Sequence, residues 1–202
     1  MISEAKDIIR RESEAILNIP VTDNFEKAVR LIHHHVHEKG GKLITSGMGK
    51  AGQIALNMST TFSSTGTPSV YLHPSEAQHG DLGVIQTNDV MIVISNSGKT
   101  REILELLELS RRLYEHLPII VITSNAESTI AHESTVCLLT GNPPEVCALG
   151  LTPTTSTTVM TVIGDVLVVL LMKMINFSNA DYSKRHHGGY LGFKSRNAAG
   201  LE

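Results

Sequence analysis

The chain is short of the residues that several functional classes depend on. Aromatic side chains make up only 4% of its 202 residues, too few for the stacking platforms that hold single-stranded nucleic acid. It has no basic excess: 17 Lys and Arg stand against 20 Asp and Glu, a net charge of −3. Neither a nucleic acid nor an anionic membrane surface is expected as a partner. Cysteine is limited to Cys137 and Cys147, which do not make a disulfide framework. A reducing, cytoplasmic compartment is the simpler reading. The N-terminal run MISEAKDIIRRESEAI alternates charge with apolar residues at helical spacing and lacks the apolar core of a signal peptide. No long apolar run is free of interruption. The longest, residues 159–175, contains Gly164, Asp165 and Lys173 and lies near the short limit for a membrane span. It reads as a buried helix.

What is present is an ordinary core supply, 41% hydrophobic, enough for a single α/β domain over residues 1–202. Residues 1–39 read as helices, with Pro20 dividing them and Gly40–Gly41 ending the second. Strands and helices then alternate. Strands are expected over 43–45, 69–72, 90–94, 119–122 and 136–139. Helices are expected over 52–62, 100–114, 128–132 and 155–175, and the tail after Gly189 reads as loosely packed. Such alternation implies parallel pairing with right-handed crossovers. The strands are apolar on both faces, as when helices cover both sides. The expected fold is a three-layer α/β/α sandwich with a five-stranded parallel sheet, its core spanning about 41–192. Ligands in such sheets sit beyond the carboxyl ends of the strands.

Two strand-to-helix turns carry phosphate-cradle signals at those ends. The first is KLITSGMGKAGQIA, with Ser46, Gly49 and Lys50. The second is DVMIVISNSGKTREI, with Ser95, Ser97, Thr100 and Glu102. Turns of this kind aim backbone N–H groups and hydroxyls at one spot, at the positive end of a helix dipole. The first lacks the Walker spacing, and tight-turn geometry alone is an alternative reading for its glycines. Lys50 could neutralise a phosphate or a developing oxyanion, or be a solvated first-turn residue. In the second turn, helix capping explains one hydroxyl easily and three less easily. A further hydroxyl run, Thr154 to Thr158, follows Pro153 and could cap the last long helix, hold anion oxygens, or both. Glu102 suits a helix start. Glu145 follows Pro143-Pro144 in a loop with no evident structural duty.

These segments, together with TGTPSVYLHPSEAQHGDLG, LGLTPTTSTTVMTVIGDVL and HHGGYLG, resemble the sugar isomerase (SIS) domain family, and within it the D-arabinose 5-phosphate isomerases. The resemblance runs from about Gly41 to Gly192. It implies a flavodoxin-like sandwich, a homotetramer, and interconversion of D-ribulose 5-phosphate and D-arabinose 5-phosphate for lipopolysaccharide or capsule synthesis, without a cofactor. It places Lys50, Glu102, Glu145 and His186 in the catalytic set, with Ser46, Gly49, His79, Ser95, Ser97, Thr100 and Thr154 around the substrate. No metal is required on this reading, although zinc bridging His79 and His186 could inhibit. A nucleotide sugar from the downstream pathway is a further candidate ligand. The chain departs from the family in two places. Many full-length members carry a tandem pair of CBS modules after the isomerase domain, and this chain ends without them. His187 stands where the family usually has Pro.

The chemistry fits these residues independently. Aldose–ketose isomerisation opens a sugar ring, a task for His. It then moves a proton between neighbouring carbons, a task for a shielded carboxylate of raised pKa. The enediolate formed on the way needs a fixed positive charge. The alternatives are a non-catalytic sugar-phosphate sensor on the same fold, or an isomerase of another sugar phosphate. His33, His34, His35 and His37 have metal-capable spacing, but a solvated helix face is the preferred reading. Cys147 reads as a small buried thiol.

Overall fold

The computed structural model describes residues 1–201. β1 (Leu43–Gly47), β2 (Ser69–Tyr71), β3 (Val90–Ile94), β4 (Ile119–Thr123) and β5 (Val136–Leu139) form a parallel sheet in the order β2-β1-β3-β4-β5. Every residue of β1, β3 and β4 is buried, which the β-branched runs VMIVI and IIVIT suit. Alternate side chains go to opposite faces. Ile92, Ile94, Ile120 and Ile122 pack with Phe62 of α3 (Gly49–Ser64) and Ile163 and Leu167 of α7 (Thr155–Met174), and α2 (Asn24–Ile32) joins this layer through Ala28 and Ile32. Met91, Val93, Ile119 and Val121 face Ile103, Leu106 and Leu107 of α5 (Arg101–Leu113), with Ile130 of α6 (Thr129–His132) beside them. The result is the expected three-layer sandwich.

α7 is long and apolar enough to cross a membrane by length and composition. Val159, Met160, Ile163, Leu167, Val168 and Leu171 are instead buried in the core, so it is the buried helix that its interrupting Gly164 and Asp165 pointed to. Val169 and Leu170 remain exposed. α1 (Ile2–Leu17) lies against α7.

Several short elements were not legible in the sequence: α4 (Pro74–Ala77), a 3-10 turn (Asp81–Val84) and α8 (Asn179–Ser183). The tail after Gly189, expected to be loosely packed, is helical and mostly exposed. It forms α9 (Gly189–Ala198), which packs on α8 and leaves Tyr190, Leu191 and Phe193 exposed. α2 continues into a π-helical stretch, His33–Glu38. There His33 and His34 both turn Nδ1 to the Glu38 carboxylate, at 3.1 and 2.6 Å. His37 Nε2 meets Thr67 Oγ1 at 3.0 Å, and His35 Nδ1 meets the Asn88 carbonyl at 3.1 Å. Burial pushes His35 and His37 below the usual imidazole range. His35 and His37 thus tie this helix end to the loops that lead into β3 and β2.

Candidate active site

The strand order changes direction at β1, with β2 on one side and β3 on the other, and a crevice opens at their carboxyl ends. Gly47 pairs with Ile94, so the two glycine-rich turns emerge side by side. α3 can seat close to β1 because position 52 is glycine: a Cβ there would lie 2.6 Å from the Gly47 carbonyl oxygen. The N-termini of α3, α5 and α7 converge on a cavity of about 660 Å³, and their aligned peptide dipoles favour an anion there.

One wall is the turn after β3, where Ser95, Asn96, Ser97 and Thr100 line the cavity. Ser95 Oγ and Thr100 Oγ1 lie 3.0 Å apart, and Ser97 Oγ accepts from the Lys99 N–H at 3.2 Å. Thr100 is the N-cap of α5, yet no side chain caps that helix. Capping therefore does not account for these hydroxyls. Gly98 makes the turn possible with φ +66°, where a Cβ would lie 2.3 Å from Ser128 Oγ. Lys50, in the first turn of α3, enters the same cavity. It is exposed and forms no ion pair among the described residues.

The opposite wall is the loop from Asn142 to Glu145 and the start of α7, with Ser156 and Thr157. Glu145 has a structural duty that its loop position in the sequence did not show: its carboxylate caps α7. Oε2 accepts from Thr154 N at 2.8 Å, Thr154 Oγ1 at 3.0 Å and Ser156 N at 3.3 Å, while Oε1 accepts a very short bond from Ser156 Oγ. Burial alone would push this carboxyl up, but the bonds from Ser156 and Thr154 outweigh it and hold the group below the usual carboxylate range. A base of raised pKa, as the chemistry led us to expect, is not what Glu145 is in this chain.

Other expected site residues lie elsewhere. Ser46 is wholly buried and donates to the Leu72 carbonyl at 2.6 Å. It is still part of β1, so its hydroxyl is engaged inside the sheet, and it does not line the cavity. Gly49 opens α3 with φ +59° beside the cavity without lining it. Thr154 supports Glu145 and does not itself line the cavity. Glu102 sits half-buried in the first turn of α5, outside the lining, with no side-chain hydrogen bond among the described residues. His79 is exposed on the turn after α4. His186 stacks on Tyr182, ring centroids 3.8 Å apart, with Nδ1 3.1 Å from the Tyr182 carbonyl oxygen. His187 is exposed. Among the described residues no group of three or more His, Cys, Asp and Glu is arranged to hold a metal ion, so neither His79 nor His186 belongs to such a set.

Asn96, Asn142, Ser156 and Thr157 line the cavity without having been singled out. Asn96, Ser156 and Thr157 lay inside motifs already marked. Asn142 offered no local sign beyond a Gly-Asn turn, which its φ of +51° explains. Cys147, expected to be buried, is partly exposed in the loop after Glu145. Its sulfur accepts from Thr152 N at 3.2 Å, and this and neighbouring peptide N–H groups lower its pKa to about 7.

A doubly wound sheet with a cavity lined by hydroxyls and a lysine at its switch point is an architecture of small-molecule-binding α/β proteins. Within it, the chain belongs to the SIS domain family, whose family model matches residues 36–170. It is 45% identical over 195 residues to the arabinose 5-phosphate isomerase KdsD of Francisella tularensis, covering 96% of this chain and 59% of that protein. It therefore spans just over half the length of that relative. A solved structure assigned as a phosphosugar isomerase involved in capsule formation, from Bacteroides fragilis, is 64% identical with a TM-score of 0.93, covering 94% of this chain and 99% of the other. An Escherichia coli protein solved in complex with A5P is 34% identical with a TM-score of 0.84, covering 92% and 96%.

Proposed function

We propose that the chain is an aldose–ketose isomerase that interconverts D-ribulose 5-phosphate and D-arabinose 5-phosphate. The observation that carries this reading is one cavity lined by Lys50, by the uncapped hydroxyls of Ser95, Ser97 and Thr100, and by the ionised Glu145. The names of the relatives point the same way. On this reading the phosphate sits against the Ser95–Thr100 turn and the positive end of α5. Lys50 stabilises the enediolate as negative charge builds on oxygen. A carboxylate carries the proton between C1 and C2. Glu145 lines the cavity but is held as a weak base, whereas Glu102 has no competing hydrogen bond to give up. His186 opens the ring.

His79 and His186 lie outside this chain's cavity, so on the same reading they are supplied by a second copy in a homo-oligomer, a tetramer. The single chain exposes 10619 Å², against about 9,300 Å² for a compact monomer of its mass. α1, α7 and α9 also expose apolar side chains such as Ile9, Leu17, Val169 and Phe193. We read residues 1–202 as one functional unit in the cytoplasm, making a sugar phosphate for lipopolysaccharide or capsule.

The test is a panel of pentose, hexose and heptose phosphates, following ketose formation with and without a chelator. Turnover confined to the pentose pair and resistant to chelation is expected. Tight binding of a sugar phosphate with no turnover of any would favour a sensor instead. Glu102→Gln and Glu145→Gln identify the carbon base, whose amide variant is expected to lose kcat by roughly 10²–10⁴-fold.

A further inference from the structure

α1 buries no residue fully, yet consecutive side chains on it reach the clamp that holds Glu145. Arg11 Nη2 donates to the Glu145 carbonyl at 3.5 Å. Thr155 Oγ1 donates to Glu12 Oε1 at 3.0 Å. Thr155 is the first residue of α7, is 1% exposed, and stands between Thr154 and Ser156, the residues bound to the Glu145 carboxylate. The start of α7 is therefore gripped by two carboxylates, Glu145 through residues 154 and 156 and Glu12 through residue 155. The second oxygen of Glu12 is buried without a protein partner. Such a group is expensive to bury, and an apolar side chain would join α1 to α7 at lower cost. The cost is reduced at the positive end of a helix, the end that also faces the cavity.

We propose that Glu12 is a positioning residue: by fixing Thr155 it sets the first turn of α7, and with it the placement of Glu145 and Ser156 in the cavity. The inference rests on reading that cavity as the isomerase site. Glu12 does not line the cavity, so its effect passes through α7. Arg11 holds the same loop from the main-chain side of Glu145.

The test compares Glu12→Ala, Glu12→Gln, Thr155→Val and the double variant Glu12→Ala/Thr155→Val, each as the full chain. Kinetics on the pentose 5-phosphates and a ¹³C NMR titration of the Glu145 carboxyl are read together. Glu12→Ala and Thr155→Val are expected to lower kcat roughly 10²-fold, the scale of a small misplacement of reacting groups. KM should stay near wild type, because the Ser95–Thr100 turn is untouched. Glu12→Gln should keep most of kcat, since its amide oxygen still accepts the Thr155 hydroxyl. The double variant should be no worse than the poorer single one, as for partners in one interaction. The Glu145 titration should move up toward the ordinary range in the Ala and Val variants and stay low in Gln. A folded Glu12→Ala with wild-type kcat and an unmoved Glu145 titration overturns the proposal, as does a loss of melting temperature alone. If Glu12→Ala does not fold, Thr155→Val and Glu12→Gln decide the question. If the wild type turns over no sugar phosphate, the isomerase reading fails, while the Glu145 titration still decides whether Glu12 positions it.

Discussion

Lys50 brings a charge to the cavity without a counter-ion among the described residues, and the Ser95–Thr100 hydroxyls are not consumed as caps. Both are free to meet an anion. Ser97→Ala and Thr100→Ala should each weaken substrate binding by roughly 1.5–3 kcal/mol, the worth of a hydrogen bond to a charged group. KM measured beside wild type should rise ten- to a hundredfold with kcat little changed, and unchanged KM values would remove the phosphate from this turn. Glu145 makes the opposite kind of contribution. Its folded-state pKa is depressed, so the stability it provides is fully present above its unfolded value, about 4.3, and is lost as pH falls through the folded one. Melting temperatures taken from pH 7 to pH 3 should therefore fall more for wild type than for Glu145→Gln, which has nothing to protonate. Parallel curves would show that the clamp holds no ionised carboxylate.

At the scale of elements, the site depends on how closely α3 approaches β1. Gly52 sits against the Gly47 carbonyl, and the Tyr71 hydroxyl donates to that same oxygen at 3.0 Å. A methyl group at position 52 meets backbone, which cannot swing aside as a side chain could. Gly52→Ala should cost about 1–3 kcal/mol through overpacking and should also tilt the turn that carries Met48 and Lys50. Urea unfolding and KM are expected to worsen together. An alanine variant as stable and as active as wild type would mean that the approach is looser than the structure has it. Gly164 offers a contrast: the atoms nearest a Cβ there belong to the flexible Met58 side chain, 2.8 Å away.

At the scale of the whole molecule, many of the exposed apolar residues fall on the N-terminal helix, the outer side of α7 and the C-terminal helix. Ile2, Ile9 and Leu17 lie on α1, Val169 and Leu170 on α7, and Tyr190, Leu191 and Phe193 on α9. On the proposed reading, a second copy covers them and supplies His186, on the α8–α9 connection, to a cavity that it does not line in its own chain. Sedimentation at micromolar concentration should show a tetramer, and Phe193→Asp on α9 should shift it toward smaller species with a parallel loss of activity. A stable, fully active monomer would mean that each chain carries a complete site.

The sequence alone determined the layers of this protein. Short continuous apolar runs in the strands and a period near 3.6 in the helices are local properties, and so β3 and β5 begin and end where the pattern said. The two turns were legible for the same reason, because Ser, Gly and Lys directly after an apolar run describe a strand end and a helix start. What sequence could not decide was where each side chain spends its bonding capacity. Ser46 and Ser95 look alike as strand-end serines, but one is buried against the Leu72 carbonyl and the other opens to the cavity beside Thr100. The difference lies in how far β1 runs before the chain turns. Glu145 looked idle in its loop, and only the fold brings it to the start of α7. Glu12, 143 residues from Thr155 in the chain, showed nothing at all. Contacts between distant segments depend on the packing of helices on the sheet, and that packing alone fixed which carboxylate grips, which is free, and which histidines stand outside.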